Sequence, residues 1–152
     1  MHIGIISDTH GLLRPEAEHA LAGVDLIVHA GDVGSPEVLS RLKQIAPVFA
    51  VRGNVDTEAW AQQLPETTTV TANGASFYVL HNLRELDLRP DAAGFDFVIS
   101  GHTHQAEQLE KNGVLFINPG SAGPWRFHLP VTLARLDLGT RPWKAQLVEL
   151  LR

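Results

Sequence analysis

The chain contains no cysteine, so it has neither a disulfide framework nor a thiolate metal site. No apolar run approaches the roughly 20 residues that a membrane-spanning helix needs, which argues against a membrane partner. The opening segment, Met1 to Asp8, carries no basic stretch and no small-residue cleavage signature. It reads as a buried strand rather than an export signal, and the cytoplasm is the expected compartment. An excess of positive charge is missing as well. With 12 Lys and Arg against 17 Asp and Glu, the formal net charge is −5 with histidine neutral. A chain that wraps a nucleic-acid polymer needs the opposite balance. A small phosphorylated ligand stays open, because bound cations supply positive charge that this count omits.

What is present fits one domain spanning residues 1–152. Apolar residues make up 44% and charged residues 19% of 152, an ordinary balance for a chain long enough to bury a core. The unusual feature is eight histidines. Strand-type runs at His2 to Ser7, Val24 to Ala30 and Pro47 to Val51 alternate with helix-type segments. One helix is expected over Arg14 to Ala22, with Pro15 in its first turn. A second starts at a Ser35 cap with Pro36 as its first residue and runs towards Ile45. That order predicts right-handed crossovers and a parallel sheet. The second half is strand-rich. Thr67 to Ala72 and Ser76 to Leu80 flank Asn73-Gly74, a strong hairpin signal. Phe95 to Ser100 is a further strand, Gln105 to Glu110 and Val114 to Ile117 flank Lys111-Asn112-Gly113, and Val131 to Leu138 and Trp143 to Leu150 close the chain. The expected class is α/β, with two packed sheets and helices outside.

Metal-ligating residue types recur just after these strands. Asp8 and His10 follow the first, Asp32 the second, Asn54 the third. His81 ends the Phe77 to Leu80 segment, and His102 and His104 follow Phe95 to Ser100. Loops beyond the carboxyl ends of strands converge in α/β folds. Imidazole mixed with carboxylate and amide oxygen suits Mn²⁺, Fe²⁺, Zn²⁺, Ni²⁺ or Co²⁺ rather than an all-oxygen cage. Seven ligands exceed one open site and match two ions sharing a carboxylate. Glycines before Asp32, Asn54 and His102 leave room for close backbone approach. Each motif alone has a plainer reading: Asp-Thr-His as a cap, Gly-Asp and Gly-Asn as turns. Together they point to a metal centre.

The ordered set Asp8-Thr-His10, Gly31-Asp32, Gly53-Asn54-Val-Asp56, His81, Gly101-His102-Thr-His104 and Asn118-Pro-Gly-Ser121 resembles the calcineurin-like metallophosphoesterases, in particular their small bacterial and archaeal phosphodiesterases. The resemblance implies a four-layer α-β-β-α sandwich of two mixed sheets flanked by helices. It implies two divalent ions per chain, manganese first, with Ni, Zn, Fe, Co or Mg as alternatives. Asp8, His10 and His104 would hold one ion, Asn54, His81 and His102 the other, and Asp32 both. The implied activity is hydrolysis of a small phosphodiester by a metal-bridging hydroxide, with Asn54 and His10 neutralising charge on the phosphoryl oxygens. Homo-oligomers are common among such relatives.

Two departures bear on this. Val55 stands where larger members carry a histidine that protonates the leaving oxygen, which disfavours monoesters. His81-Asn82-Leu83 replaces a His-Gly-His found in many relatives. A phosphomonoesterase, a nuclease, and a metal-poor scaffold of the same fold remain the competing readings. Of the other candidates, His29 reads as a hydrogen-bonded core histidine, with orientation of the Asp32 loop as the lesser alternative. Asp56 reads as the cap of a Thr57 to Leu64 helix. Trp60, Trp125 and Trp143 read as packing residues, Arg126 as a surface residue or phosphate contact, and Asn118 as part of a turn beside the site. His2, His19 and His128 read as partly exposed or structural.

Overall fold

The first strand is buried on both faces, and that sets the architecture. In the computed structural model, which describes residues 1–151, strand β1 (His2–Ile6) sends Ile3 and Ile5 to one side and Ile6 to the other. It pairs in parallel with β2 (Leu26–His29), which pairs in parallel with β3 (Val48–Ala50). The crossovers carry helices α1 (Pro15–Ala20) and α2 (Pro36–Lys43). On the other edge β1 meets β9 (Val131–Asp137), then β10 (Ala145–Leu151), both antiparallel. This first sheet has the order β10-β9-β1-β2-β3.

The second sheet has the order β4-β5-β6-β8-β7. It is built from β4 (Thr67–Ala72), β5 (Ala75–Leu80), β6 (Phe97–Ile99), β7 (Glu107–Lys111) and β8 (Val114–Asn118). The expected turns at Asn73-Gly74 and Asn112-Gly113 close the β4–β5 and β7–β8 hairpins, with φ positive at all four residues. The sheets share a core of Ile3, Ile5, Val28, Phe77, Phe97, Ile99 and Leu136. Phe77 and Phe97 stack there at 4.5 Å with an 11° interplanar angle, and burial of each is worth about 1.5–3 kcal/mol.

Helices α1 and α2 cover the outer face of the first sheet through Ala17, Leu21, Val38, Leu39 and Leu42. Both have proline in the first turn, as expected, but Ser35 makes no side-chain cap bond. The outer face of the second sheet is covered differently. Leu86, Leu88 and Phe95 of the 82–95 segment pack on Tyr78, Leu80 and Val98, and that segment holds a single 3₁₀ turn at Leu83–Glu85. Pro90 removes an amide donor from the middle of it, which stops a longer helix. Among the described residues no helix is long and apolar enough to cross a membrane.

The expected helix over Thr57 to Leu64 is a 3₁₀ turn at Ala59–Gln63 entered from Glu58. Asp56 therefore is not its cap. Its buried carboxylate accepts from the amides of Gly53 (2.9 Å), Gly34 (3.0 Å) and Val33 (3.1 Å). Three loop amides outcompete a local cap because two of them, those of Val33 and Gly53, would otherwise be buried without partners.

Candidate metal centre

The carboxyl ends of β1, β2, β3, β5 and β6 gather at one rim of the sandwich, and all seven residues singled out above stand there. Asp8, Asp32, His81 and His104 are buried, His10 is half-buried, and Asn54 and His102 are exposed. The cluster is thus walled on one side and open on the other. Five of the seven hold left-handed backbone: Asp8 (φ 55°), His10 (48°), Asp32 (55°), His102 (74°) and His104 (65°). Each such non-glycine residue carries a steric penalty of roughly 1–2 kcal/mol. Penalties of this kind collect at functional sites, where the surrounding structure enforces them.

The enforcing contacts can be named. Asp8 Oδ2 accepts from Ser7 Oγ (2.6 Å) and from the His102 amide (3.1 Å), which turns Oδ1 inward. Asp32 Oδ1 accepts from the Val55 amide (3.0 Å), which turns Oδ2 inward. His81 Nδ1 lies 2.7 Å from Ala30 O; only an N–H can donate to a carbonyl, so the Nε2 lone pair faces the cluster. A Cβ on Gly53 would lie 2.1 Å from Asp32 Oδ1, and one on Gly101 would lie 2.6 Å from Asp8 Oδ2. Only glycine permits these approaches.

Inward-facing atoms crowd together. His104 Nε2 is 3.3 Å and His10 Nε2 3.7 Å from Asp8 Oδ1, and the two imidazole nitrogens are 3.4 Å apart. His81 Nε2 is 3.2 Å from Asp32 Oδ2 and 3.9 Å from Asp8 Oδ1. His10 Nε2 is 3.8 Å from Asp32 Oδ2, so that oxygen lies between His10 and His81. His102 Nδ1 and Asn54 Oδ1 are 3.2 Å apart. Donors bound at about 2.1 Å to one ion stand roughly 3–3.5 Å from each other; the shortest of these separations fall in that range and the others lie a few tenths of an ångström beyond it. Asp8 Oδ1 and His81 Nε2 are buried and have no hydrogen-bond partner. Buried polar atoms without partners are costly, and a cation would satisfy both. Two groups meet the geometry for holding an ion: Asp8, His10 and His104, and Asp8, Asp32 and His81.

Electrostatics point the same way. Burial pushes the Asp8 carboxyl up, but the imidazoles of His10, His104 and His81 around it and the Ser7 hydroxyl outweigh it, holding the acid well below the usual carboxylate range. Asp32 is lowered likewise, with burial overcome by His81 and the Val55 amide. His81 is raised: burial opposes its charge, but Asp32 and Asp8 prevail.

Asn118 and Ser121 do lie beside the cluster. Asn118 Nδ2 donates to Gly101 O (2.9 Å) and Thr103 Oγ1 (3.1 Å), and Ser121 Oγ donates to Asp8 O (2.9 Å). His29 is fully buried and links two site loops. The Gly31 amide donates to its Nδ1 (3.1 Å), so its Nε2–H donates to Thr9 Oγ1 (3.0 Å) and the hydroxyl donates on to Val33 O (2.7 Å). Burial lowers this imidazole to about 4 against the pull of Asp8 and Asp56, so it is neutral. Trp60 and Trp143 pack on the cores. Trp125, expected to pack, is 59% exposed, and Phe127 is 72% exposed. Phe127 escaped notice in the sequence because a lone aromatic reads as core. Its one signal was its place just after the Asn118 to Ser121 turn. Next to His102, a cavity of about 970 Å³ opens between the 82–91 segment and β7–β8, with Leu86, Leu109, Phe116 and Asn118 among its walls.

The chain is similar to known proteins. A probable metallophosphoesterase of Methanothermobacter thermautotrophicus is 37% identical over 90% of this chain and 87% of its own length. A solved archaeal phosphodiesterase superposes with a TM-score of 0.80 at 27% identity, covering 97% of this chain and all of its own. Vps29 of Chaetomium thermophilum shares the fold alone: TM-score 0.77 at 18% identity, over 97% of this chain and 93% of that one. The sequence model of the calcineurin-like phosphoesterase superfamily domain matches residues 1–141, and the chain belongs to that superfamily.

Proposed function

We propose that this protein is a phosphodiesterase working with two divalent metal ions. Asp8, His10 and His104 would hold one, Asn54, His81 and His102 the other, with Asp32 shared. The observation that carries the reading is His81. Its Nδ1 is committed to Ala30 O, and its buried, unpartnered Nε2 faces two carboxylates. That is the tautomer and orientation of a metal ligand. When bound, such ions polarise phosphoryl oxygens and lower the pKa of water towards neutrality.

The chain's own groups supply positioning. Asp8 and Asp32 are held ionised chiefly by the imidazoles around them, and are oriented by bonds to the oxygen that faces away from the cluster. Asn54 and His10 stand on the open side, where they can meet charge developing on the equatorial oxygens. In hydrolysis a water oxygen adds to phosphorus, the bond to the leaving oxygen breaks, and the water's proton passes to solvent. Val55, 47% exposed beside the centre, has no proton to give the leaving oxygen. That favours diesters with acidic leaving groups over monoesters.

The test is to assay bis-p-nitrophenyl phosphate and p-nitrophenyl phosphate with metal-free protein to which Mn²⁺, Ni²⁺, Zn²⁺ or Mg²⁺ is returned. Metal-dependent cleavage that favours the diester is expected. Cleavage of neither ester with any metal, alongside less than one bound ion per chain, would establish the scaffold reading instead.

A further inference from the structure

Between Ser121 and β9 the chain leaves the sandwich as Pro124-Trp125-Arg126-Phe127-His128-Leu129. Phe127 and Trp125 are the most exposed large apolar side chains among the described residues, at 72% and 59%. Nothing in the fold gains from that exposure, since apolar surface left in water is a loss. The backbone adds to the cost: Phe127 and His128 both hold left-handed φ, 59° and 56°, a conformation that bulky L-residues adopt against steric resistance. Two successive residues of this kind, with an aromatic ring left in solvent, call for a reason outside the fold.

Position suggests that reason. The Phe127 ring lies 5.7 Å from the His104 ring at 54°, and His104 in turn lies 5.3 Å from His10. Phe127 therefore borders the first ligand group, and a substituent on a phosphoryl group bound there would reach it. Arg126, exposed between the two aromatics, has no side-chain hydrogen bond or ion pair among the described residues. A flat apolar face beside a free guanidinium complements a ring attached to a phosphate.

We propose that Trp125, Arg126 and Phe127 form the contact surface for a planar ring, aryl or nucleobase, carried on one ester oxygen of the substrate, with Phe127 as the stacking face. This rests on the phosphodiesterase reading above and narrows it to diesters bearing a ring. A second copy of the chain is the weaker occupant. Two aromatic side chains offer at most roughly 500 Å², well short of the about 800 Å² per partner of a standard interface.

The experiment uses the Mn²⁺-loaded protein and four diesters that share p-nitrophenol as leaving group. Their other substituents are methyl, cyclohexyl, phenyl and thymidine-5′-yl. The phenyl and thymidine esters should show KM about tenfold below cyclohexyl, in the range that stacking supplies, with kcat similar. The two ring arms tell aryl from nucleobase recognition. In Phe127→Leu, which keeps apolar bulk without a ring, the phenyl-to-cyclohexyl ratio should fall to near one; Phe127→Tyr should restore it. A ratio near one in the wild type, or a ratio untouched by Phe127→Leu, overturns the proposal and leaves the phosphodiesterase reading standing. Light scattering that shows an oligomer lost in Phe127→Leu, with the ratio unchanged, overturns it in favour of an interface between copies. Hydrolysis of none of the four brings down the phosphodiesterase reading itself.

Discussion

His81 and Ala30 stand 51 residues apart, yet Nδ1 of one lies 2.7 Å from the carbonyl oxygen of the other. The contact joins the two sheets at the rim where their loops meet. It also decides which nitrogen of His81 is available, and so leaves Nε2 facing the carboxylates where the proposed ion would sit. His81→Ala should lower the bound metal from two ions to about one per chain. Activity should fall by more than the roughly 100-fold that loss of a group merely orienting a ligand causes. Elemental analysis with steady-state rates checks both.

Gly53→Ala isolates steric approach from backbone strain. The new Cβ would lie 2.1 Å from Asp32 Oδ1 and 2.2 Å from its amide nitrogen, so the Asp32 loop must move. The chain should still fold, with metal affinity reduced about tenfold or more, since a misplaced ligand weakens a site much as a lost orienting partner does. Calorimetric titration of metal-free protein with Mn²⁺ reads the change. Unaltered affinity would show that Asp32 tolerates displacement.

Asp56→Ala strips the partner from three amides, those of Val33, Gly34 and Gly53. Each buried donor left unpaired costs about 1–3 kcal/mol, so the loss should exceed about 3 kcal/mol in urea unfolding. Asp56→Asn should lose less, because one acceptor oxygen remains.

These three residues show what could be read ahead of the structure. Each ligand candidate followed an apolar strand, and strand ends converge in such folds, so the rim was legible from position. Its finer structure was not. Asp56 three residues after a glycine has the pattern of a cap, and only the packed loops reveal its three amides. Five left-handed ligands leave no trace in residue type, because Asp and His are common elsewhere. The cover of the second sheet was likewise hidden: Leu86 and Leu88 are apolar enough for a helix, but Pro90 and the packing of Phe95 favour an irregular strap. Trp125 looked like core because composition records apolarity and not direction, and Phe127 was not singled out for the same reason.

His29 gives a pH dependence with a definite sign. Its imidazole is lowered from an ordinary 6.5 to about 4 by burial, so between those values the unfolded chain binds the extra proton. Its contribution to stability is complete above the unfolded value and fades as pH falls towards the folded one. Metal-free wild type should lose about 2–3 kcal/mol between pH 7 and 4.5 from this group. His29→Gln should show a correspondingly flatter profile over that window. His81, raised rather than lowered, acts in the opposite sense: its contribution is present below the unfolded value and is lost as pH rises through the folded one. A wild-type curve as flat as that of His29→Gln would mean that His29 is not held neutral.

The central claim is that a shared carboxylate assembles two ions between the sheets, and Asp32→Asn tests it most directly. The substitution keeps the volume and the bond to the Val55 amide while removing charge from the oxygen that lies between His10 and His81. The measurement is metal content of the purified variant alongside bis-p-nitrophenyl phosphate hydrolysis under saturating Mn²⁺. Two ions per chain in the wild type, fewer in the variant, and a rate lower by roughly 100-fold or more is the predicted result. Two ions in the variant with near-wild-type turnover would contradict the claim.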